Sequence, residues 1–288
     1  MARVPALILT QHSSGFVPFN ILADMLGEAV YDHDAVQARL AYLFNEGDPF
    51  TDALFYTEDA SHVHALISRF VVDLNRRRDA GGLNGVLKVT DFSGNPLYKE
   101  DFRFSEKRIE ERLNRFYDPF HASLDRMLAK PDLLFFVDGH SMAATGPLIG
   151  PDSGKPRPAF TLITGGDSEG KQVSKEHHLS VPADLAQQIR DLLEHHFGPI
   201  LKDSDVPEDI LINDPFALGG TIQRLSAPDN QNHKPGFGLE FNKALYLEPA
   251  GNGLDKPIKN RIPLLNRHFQ GFMQDCGKLF QAYPFGHA

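Results

Sequence analysis

A single cysteine, Cys276, excludes an intramolecular disulfide and points to a reducing compartment, so a cytoplasmic protein is expected. No apolar run is long enough to span a bilayer, and the first residues lead straight into a strand pattern rather than a signal peptide. Positive charge is scarce: 29 Lys and Arg against 38 Asp and Glu leave a formal charge of −9. That argues against a nucleic acid or an anionic membrane as partner, since both call for a basic face. Repeats and linkers are missing too, so 1–288 reads as one domain, with 249–288 as a C-terminal helical extension packed on it. Oligomeric state leaves no trace in the sequence.

What is present is ordinary soluble composition, with 41% hydrophobic residues and a mean hydropathy of −0.30, arranged as strands alternating with helices. Strands are expected at 4–10, 66–74, 133–137, 160–164, 216–226 and 237–247. Helices are expected at 19–29, at 33–45, in a long segment capped by Ser105 and kinked at Pro119, from Pro182 to a stop at Gly198-Pro199, and at 263–283. The last carries Leu265, Phe269, Phe272, Cys276 and Phe280 on one stripe, which makes Cys276 core filler. This alternation implies an α/β fold.

The chemistry lies where strands end. Leu133-Leu134-Phe135-Phe136-Val137 runs without a break into Asp138-Gly139-His140-Ser141, and Val4 to Thr10 empties into Gln11-His12. Catalytic and metal sites of α/β sheets gather at such ends. A lone strand-end histidine is usually a satisfied structural residue; two of them among acids point to a metal. Zinc suits a set of histidines and a carboxylate with one position left for water. By spacing alone the third ligand is Asp48, Asp52 or Asp138. Glu240 sits in Gly236-Phe237-Gly238-Leu239-Glu240-Phe241, where alternation puts it on a face with two glycines that leave room for an approaching group. Burial there would raise its pKa toward the range of a general base, whereas an edge strand would leave it in water. Arg69, Asp73 and Asn75 fall on one face of the expected 66–74 strand, with Arg76 at its turn; an internal Arg69–Asp73 salt bridge is the plainer alternative. Arg77 and Arg78 read as solvated. His62 and His64 precede that strand without a partner, His177, His178, His195 and His196 read as surface residues, and His121 as structural or cleft-lining.

These segments, in order, resemble the N-formylglutamate amidohydrolase (deformylase) family and, more distantly, the aspartoacylase and zinc-carboxypeptidase group. The matching pieces are Gln11-His12-Ser13-Ser14-Gly15, Asp48-Pro49-Phe50-Thr51-Asp52-Ala53-Leu54-Phe55, Ser68-Arg69-Phe70-Val71-Val72-Asp73-Leu74-Asn75-Arg76, Tyr117-Asp118-Pro119-Phe120-His121, Asp138-Gly139-His140-Ser141, Gly219-Gly220 and Leu239-Glu240-Phe241-Asn242. The resemblance implies a three-layer fold with a mixed, mostly parallel central sheet flanked by helices, zinc-carboxypeptidase-like. It implies metal ligands His12, Asp48 and His140, Asn75 and Arg76 on a substrate carboxylate, Arg69 polarising the scissile carbonyl, Glu240 as general base, and Asp138 orienting His140. The activity so implied is metal-dependent hydrolysis of an N-acyl amino acid, N-formyl-L-glutamate first, with Zn2+ as the ion and a small-molecule carboxylate as substrate. Alternatives are a carboxypeptidase-like hydrolase of small peptides or cell-wall fragments, or a non-catalytic binding protein of the same fold. The tail from Pro249 onward has no counterpart in the family.

Overall fold

The computed structural model describes residues 3–202, 204–251 and 253–285; residue 252 and residues 286–288 of the expected extension therefore lie outside the described residues. The chain runs β1 (Ala6–Thr10), α1 (Phe19–Leu26), α2 (His33–Glu46), α3 (Thr51–Leu54), β2 (Ser61–His64), α4 (Glu106–Arg112), α5 (Asp118–Leu128), β3 (Phe135–Met142), β4 (Phe160–Ile163), α6 (Ala183–Leu201), β5 (Ile210–Ile212), α7 (Gly220–Leu225), β6 (Gly236–Asn242) and α8 (Arg261–Ala282).

Strands β1 to β6 form one sheet in the order β2-β1-β3-β6-β4-β5, and Leu247–Glu248 pairs with Lys256–Pro257 in a separate two-stranded antiparallel sheet. Within the six-stranded sheet every pairing is parallel except β4 with β6. The sheet is thus mixed and mostly parallel. β1 and β3 are buried along their whole length, as expected when helices cover both faces. Alternation divides the side chains: Ala6, Ile8, Phe135, Val137, Phe237 and Leu239 share a core with α6 and α8. Leu7, Leu9 and Phe136 pack on Leu124 and Leu128 of α5 and Ile222 and Leu225 of α7 on the other side. Layers of helix, sheet and helix result. The α8 stripe is fully engaged, with Phe269, Phe272 and Cys276 buried in the first of these cores. No described helix is long and apolar enough to cross a membrane.

Several expectations need correction. Residues 66–74 form no strand; Leu66 is exposed, and residues 67–74 are buried but pass through turns. Arg69 Nη2 donates to Asp73 Oδ2 at 2.9 Å, whereas four residues of strand would hold those positions about 13 Å apart. The ion pair therefore requires a folded-back chain. The strand in this region is β2, which contains His62 and His64, and His62 Nε2 donates to the Thr57 carbonyl. Residues 216–226 hold the helix α7, since Ile222 and Leu225 are buried three apart, a helical interval. β5 was not anticipated because three residues carry too little pattern. The 105–128 helix is divided by a wide π turn at Leu113–Tyr117, which places Pro119 in the first turn of α5, where a missing N–H costs little. α6 continues through Pro199 to Leu201, held by buried Phe197 and Leu201 one turn apart.

Candidate active site

β1 and β3 run side by side with Leu9 opposite Asp138, so His12 and His140 emerge at the same end of the sheet. Asp48 joins them from the turn after α2, where its N–H donates to the His12 carbonyl. His12 Nδ1 lies 3.2 Å and His140 Nδ1 2.9 Å from the same oxygen, Asp48 Oδ2. All three side chains are buried, and one ligand atom from each falls within 4.8 Å of the other two.

The outer ring nitrogens face other carboxylates. His12 Nε2 is 2.8 Å from Asp73 Oδ1, and His140 Nε2 is 3.1 Å from Asp138 Oδ1. Each imidazole thus stands between two carboxylates; the tautomer with its proton on Nε2, donating to Asp73 or Asp138, leaves Nδ1 with a lone pair on the Asp48 side. In that tautomer two lone pairs and a carboxylate oxygen converge in a buried space with no proton among them. A divalent cation satisfies all three, and this donor set suits one. The His12–Asp48–His140 group can hold a metal ion. Burial alone would push the Asp48 carboxyl up; with the imidazoles donating to it instead, His12 and His140 outweigh that and hold it well below the usual range. Asp73 is likewise lowered against its burial, by Arg69, Arg76, His12 and Lys88.

The group opens into a cavity of about 300 Å³ that Arg69, Asn75, Arg76 and Glu240 also line. Arg69 Nη1 lies 3.6 Å from Asp48 Oδ1 while its Nη2 holds Asp73. The Asn75 amide is set by Thr221, whose N–H donates to Oδ1 at 2.9 Å, and its Nδ2 lies 3.3 Å from His140 Nε2. Arg76 donates through Nε to the Asn84 carbonyl. Glu240 is paired in register with His140 on β3 and Thr161 on β4, so β6 is an interior strand and the solvent-facing alternative is excluded. Its Oε2 is buried without a hydrogen-bond partner, and burial is the main reason its carboxyl rises to about 7. A carboxylate in that range can take and return protons near neutral pH. The room beside Gly236 and Gly238 is not open to a ligand. A Cβ there would meet Phe136 at 2.5 Å and Ile222 at 2.6 Å.

The N-formylglutamate amidohydrolase family model matches residues 4–247. The chain belongs to that family. The match stops just short of Pro249, where the motif resemblance also ends. An N-formylglutamate deformylase of Pseudomonas putida is 36% identical over 92 residues, 29% of this chain and 34% of that protein; the match thus spans about a third of its length. Among solved structures, N-formylglutamate amidohydrolase from Ralstonia eutropha aligns with TM-score 0.66 at 18% identity, covering 98% of this chain and 95% of the other. A gene product of Agrobacterium tumefaciens aligns at TM-score 0.52 and 14% identity, over 97% and 90% of the two chains. At such identities the likeness is one of fold.

Of the three acids left open by spacing, geometry places Asp48 between the imidazoles and Asp138 behind His140. Asp52 is exposed on α3. Arg77 and Arg78 are surface residues paired with acids. His121 is structural, its Nε2 donating to the Leu74 carbonyl. Two contributors, Lys88 and Lys243, went unseen in the sequence, and a third was read only in part. Asp73 was read only as a partner of Arg69, yet it also holds His12. Lys88 is 1% exposed at its side chain and 3.3 Å from Asp73 Oδ2, and burial lowers it to about 8. Lys243 lines the cavity and donates to the Asn45 carbonyl at 2.7 Å, and burial lowers it as well. Nothing near Lys88 in the chain signals its place, whereas Lys243 stands three residues after Glu240.

Proposed function

We propose that the protein is a metal-dependent amidohydrolase that cleaves an N-acyl amino acid, with N-formyl-L-glutamate as its first substrate, yielding formate and glutamate. The reading rests above all on one observation: His12, Asp48, His140 and an unpartnered Glu240 meet in a single cavity although they are far apart in the chain. His12 Nδ1, Asp48 and His140 Nδ1 would hold the ion, for which zinc is the leading choice. When bound, such an ion lowers the pKa of water and polarises a carbonyl.

The chain's own residues supply the rest. Asn75 and Arg76 bind the substrate carboxylate and so place the scissile amide beside Glu240. Glu240 takes a proton from the attacking water at its carboxylate and returns it to the departing amine nitrogen. Arg69, fixed by Asp73, presents its remaining N–H groups to the carbonyl oxygen as negative charge develops there. Asp73 and Asp138 keep the imidazoles in one tautomer and orientation.

Glu240→Gln keeps the shape and removes the proton acceptor. Its metal content should match that of the wild type, while formate release from N-formyl-L-glutamate falls by about 10²-fold or more. Near-full activity would rule Glu240 out as the base. Release of amino acids from dipeptides in place of formate would favour the peptidase alternative.

A further inference from the structure

The cavity carries more cationic groups than the proposed reaction uses. Arg69 and Arg76 have roles in it; Arg157 and Lys243 line the same space without one. Arg157 is the more highly organised of these two. Its side chain is 4% exposed, and its Nε and Nη2 grip Asp152 at 2.7 and 2.9 Å. The guanidinium lies over the Phe216 ring, 4.8 Å from its centroid. Its backbone is pinned as well: the N–H donates to the Ala144 carbonyl, and its carbonyl accepts from Asn242 Nδ2. Nη1 alone has no hydrogen-bond partner among the described residues.

A guanidinium locked on one edge, with its other end facing a cavity, is preorganised for a second carboxylate. Phe216, against which the guanidinium lies, lines the cavity together with apolar Met142 and Ile163, and that lining suits the methylenes that would lead to such a group. We propose that Arg157 is a specificity-determining residue that binds the side-chain carboxylate of the substrate through Nη1, which makes N-acyl derivatives of acidic amino acids the preferred class. The assignment rests on the hydrolase reading above and adds which end of the substrate faces β4. Lys243 is the weaker candidate. Its ammonium is committed to the Asn45 carbonyl and has Glu46 as a neighbouring acid within the same cavity.

The test is the ratio of kcat/KM for N-formyl-L-glutamate to that for N-formyl-L-glutamine, measured on zinc-loaded wild type, Arg157→Met, Arg157→Lys and Lys243→Met. Both substrates are read on the same preparation, so the ratio does not depend on how much of a variant is folded. The wild-type ratio should exceed about 30, the worth of a buried charge pair. It should collapse toward one in Arg157→Met and fall at least about tenfold in Arg157→Lys, which keeps a charge against Asp152 but loses the fixed fork. Lys243→Met should keep the wild-type ratio.

A purely structural Arg157 would lower both rates together and leave the ratio unchanged, which overturns the assignment. So would a ratio that survives in Arg157→Lys or collapses only in Lys243→Met. A wild type that turns over both substrates equally defeats the assignment and leaves the hydrolase reading standing. No formate from either substrate defeats both.

Discussion

Single residues of this site are set by what stands behind them. Each imidazole meets Asp48 with one nitrogen and a further carboxylate with the other, Asp73 for His12 and Asp138 for His140. His12, His140 and Glu240 were legible in the sequence because an imidazole at the end of an apolar run, or an acid inside one, is out of place there, whereas Asp48 stood level with Asp52 and Asp138 until the family motif singled it out. Asp73 and Lys88 were not legible, because their meaning comes only from contacts across the fold. His121 shows another consequence of burial at this scale. Its Nε2 donates to Leu74, its Nδ1 is buried without a partner, and burial, with Arg224 nearby, lowers it from 6.5 to about 4 despite Asp125 and Asp118. The unfolded chain therefore binds a proton on this ring at a higher pH than the folded one. The neutral ring contributes stability in full above pH 6.5, and that contribution is lost as pH falls from 6.5 toward about 4. Comparing denaturant unfolding of wild type and His121→Gln at pH 7 and pH 5 should show the wild type losing about 2 kcal/mol more on acidification. Equal losses would contradict the assignment.

Among the elements, the turn segment before Arg76 and the start of α7 behave as one part. Thr221 N–H holds Asn75 Oδ1, and Gly220 lies so close that a Cβ would stand 2.7 Å from the Asn75 carbonyl oxygen. Gly220→Ala must push the Asn75-Arg76 pair out of place. A stability loss of about 1–3 kcal/mol is expected, together with a higher KM and a smaller change in kcat, since these residues are assigned to substrate binding. An unchanged KM would show that this contact does not position them. The same two segments are where strands were expected and not found. Residues 67–74 are buried and largely apolar as a strand would be, but period-two counting cannot register that Arg69 and Asp73 are drawn together. Residues 216–226 were misread because glycines at 219 and 220 break any periodicity before the helical spacing of Ile222 and Leu225 becomes visible. β1, β3 and β4, by contrast, were legible as unbroken apolar runs, which is what strands covered on both faces look like, and β6 by the alternation of Phe237, Leu239 and Phe241.

For the whole molecule, the order of strands does what sequence proximity cannot. Placing β1, β3 and β6 next to one another collects residues 12, 140 and 240 at one site, and the turn after α2 adds Asp48. That convergence was anticipated only through the ordered family motifs; composition and charge bounded the partners and nothing more. The family match covers 4–247, yet α8 beyond it buries Phe269 and Phe272 in the core beneath the sheet, so the site rests on a scaffold larger than its motifs. The account as a whole depends on an ion held at the three inner ligands. Metal content by elemental analysis, after equilibration with zinc and desalting, tests this most directly in wild type, Glu240→Gln and the His12→Ala/His140→Ala double variant. About one equivalent in the first two and essentially none in the double variant is the expected result. A wild type that retains no metal, or a folded double variant that retains as much as the wild type, would contradict it.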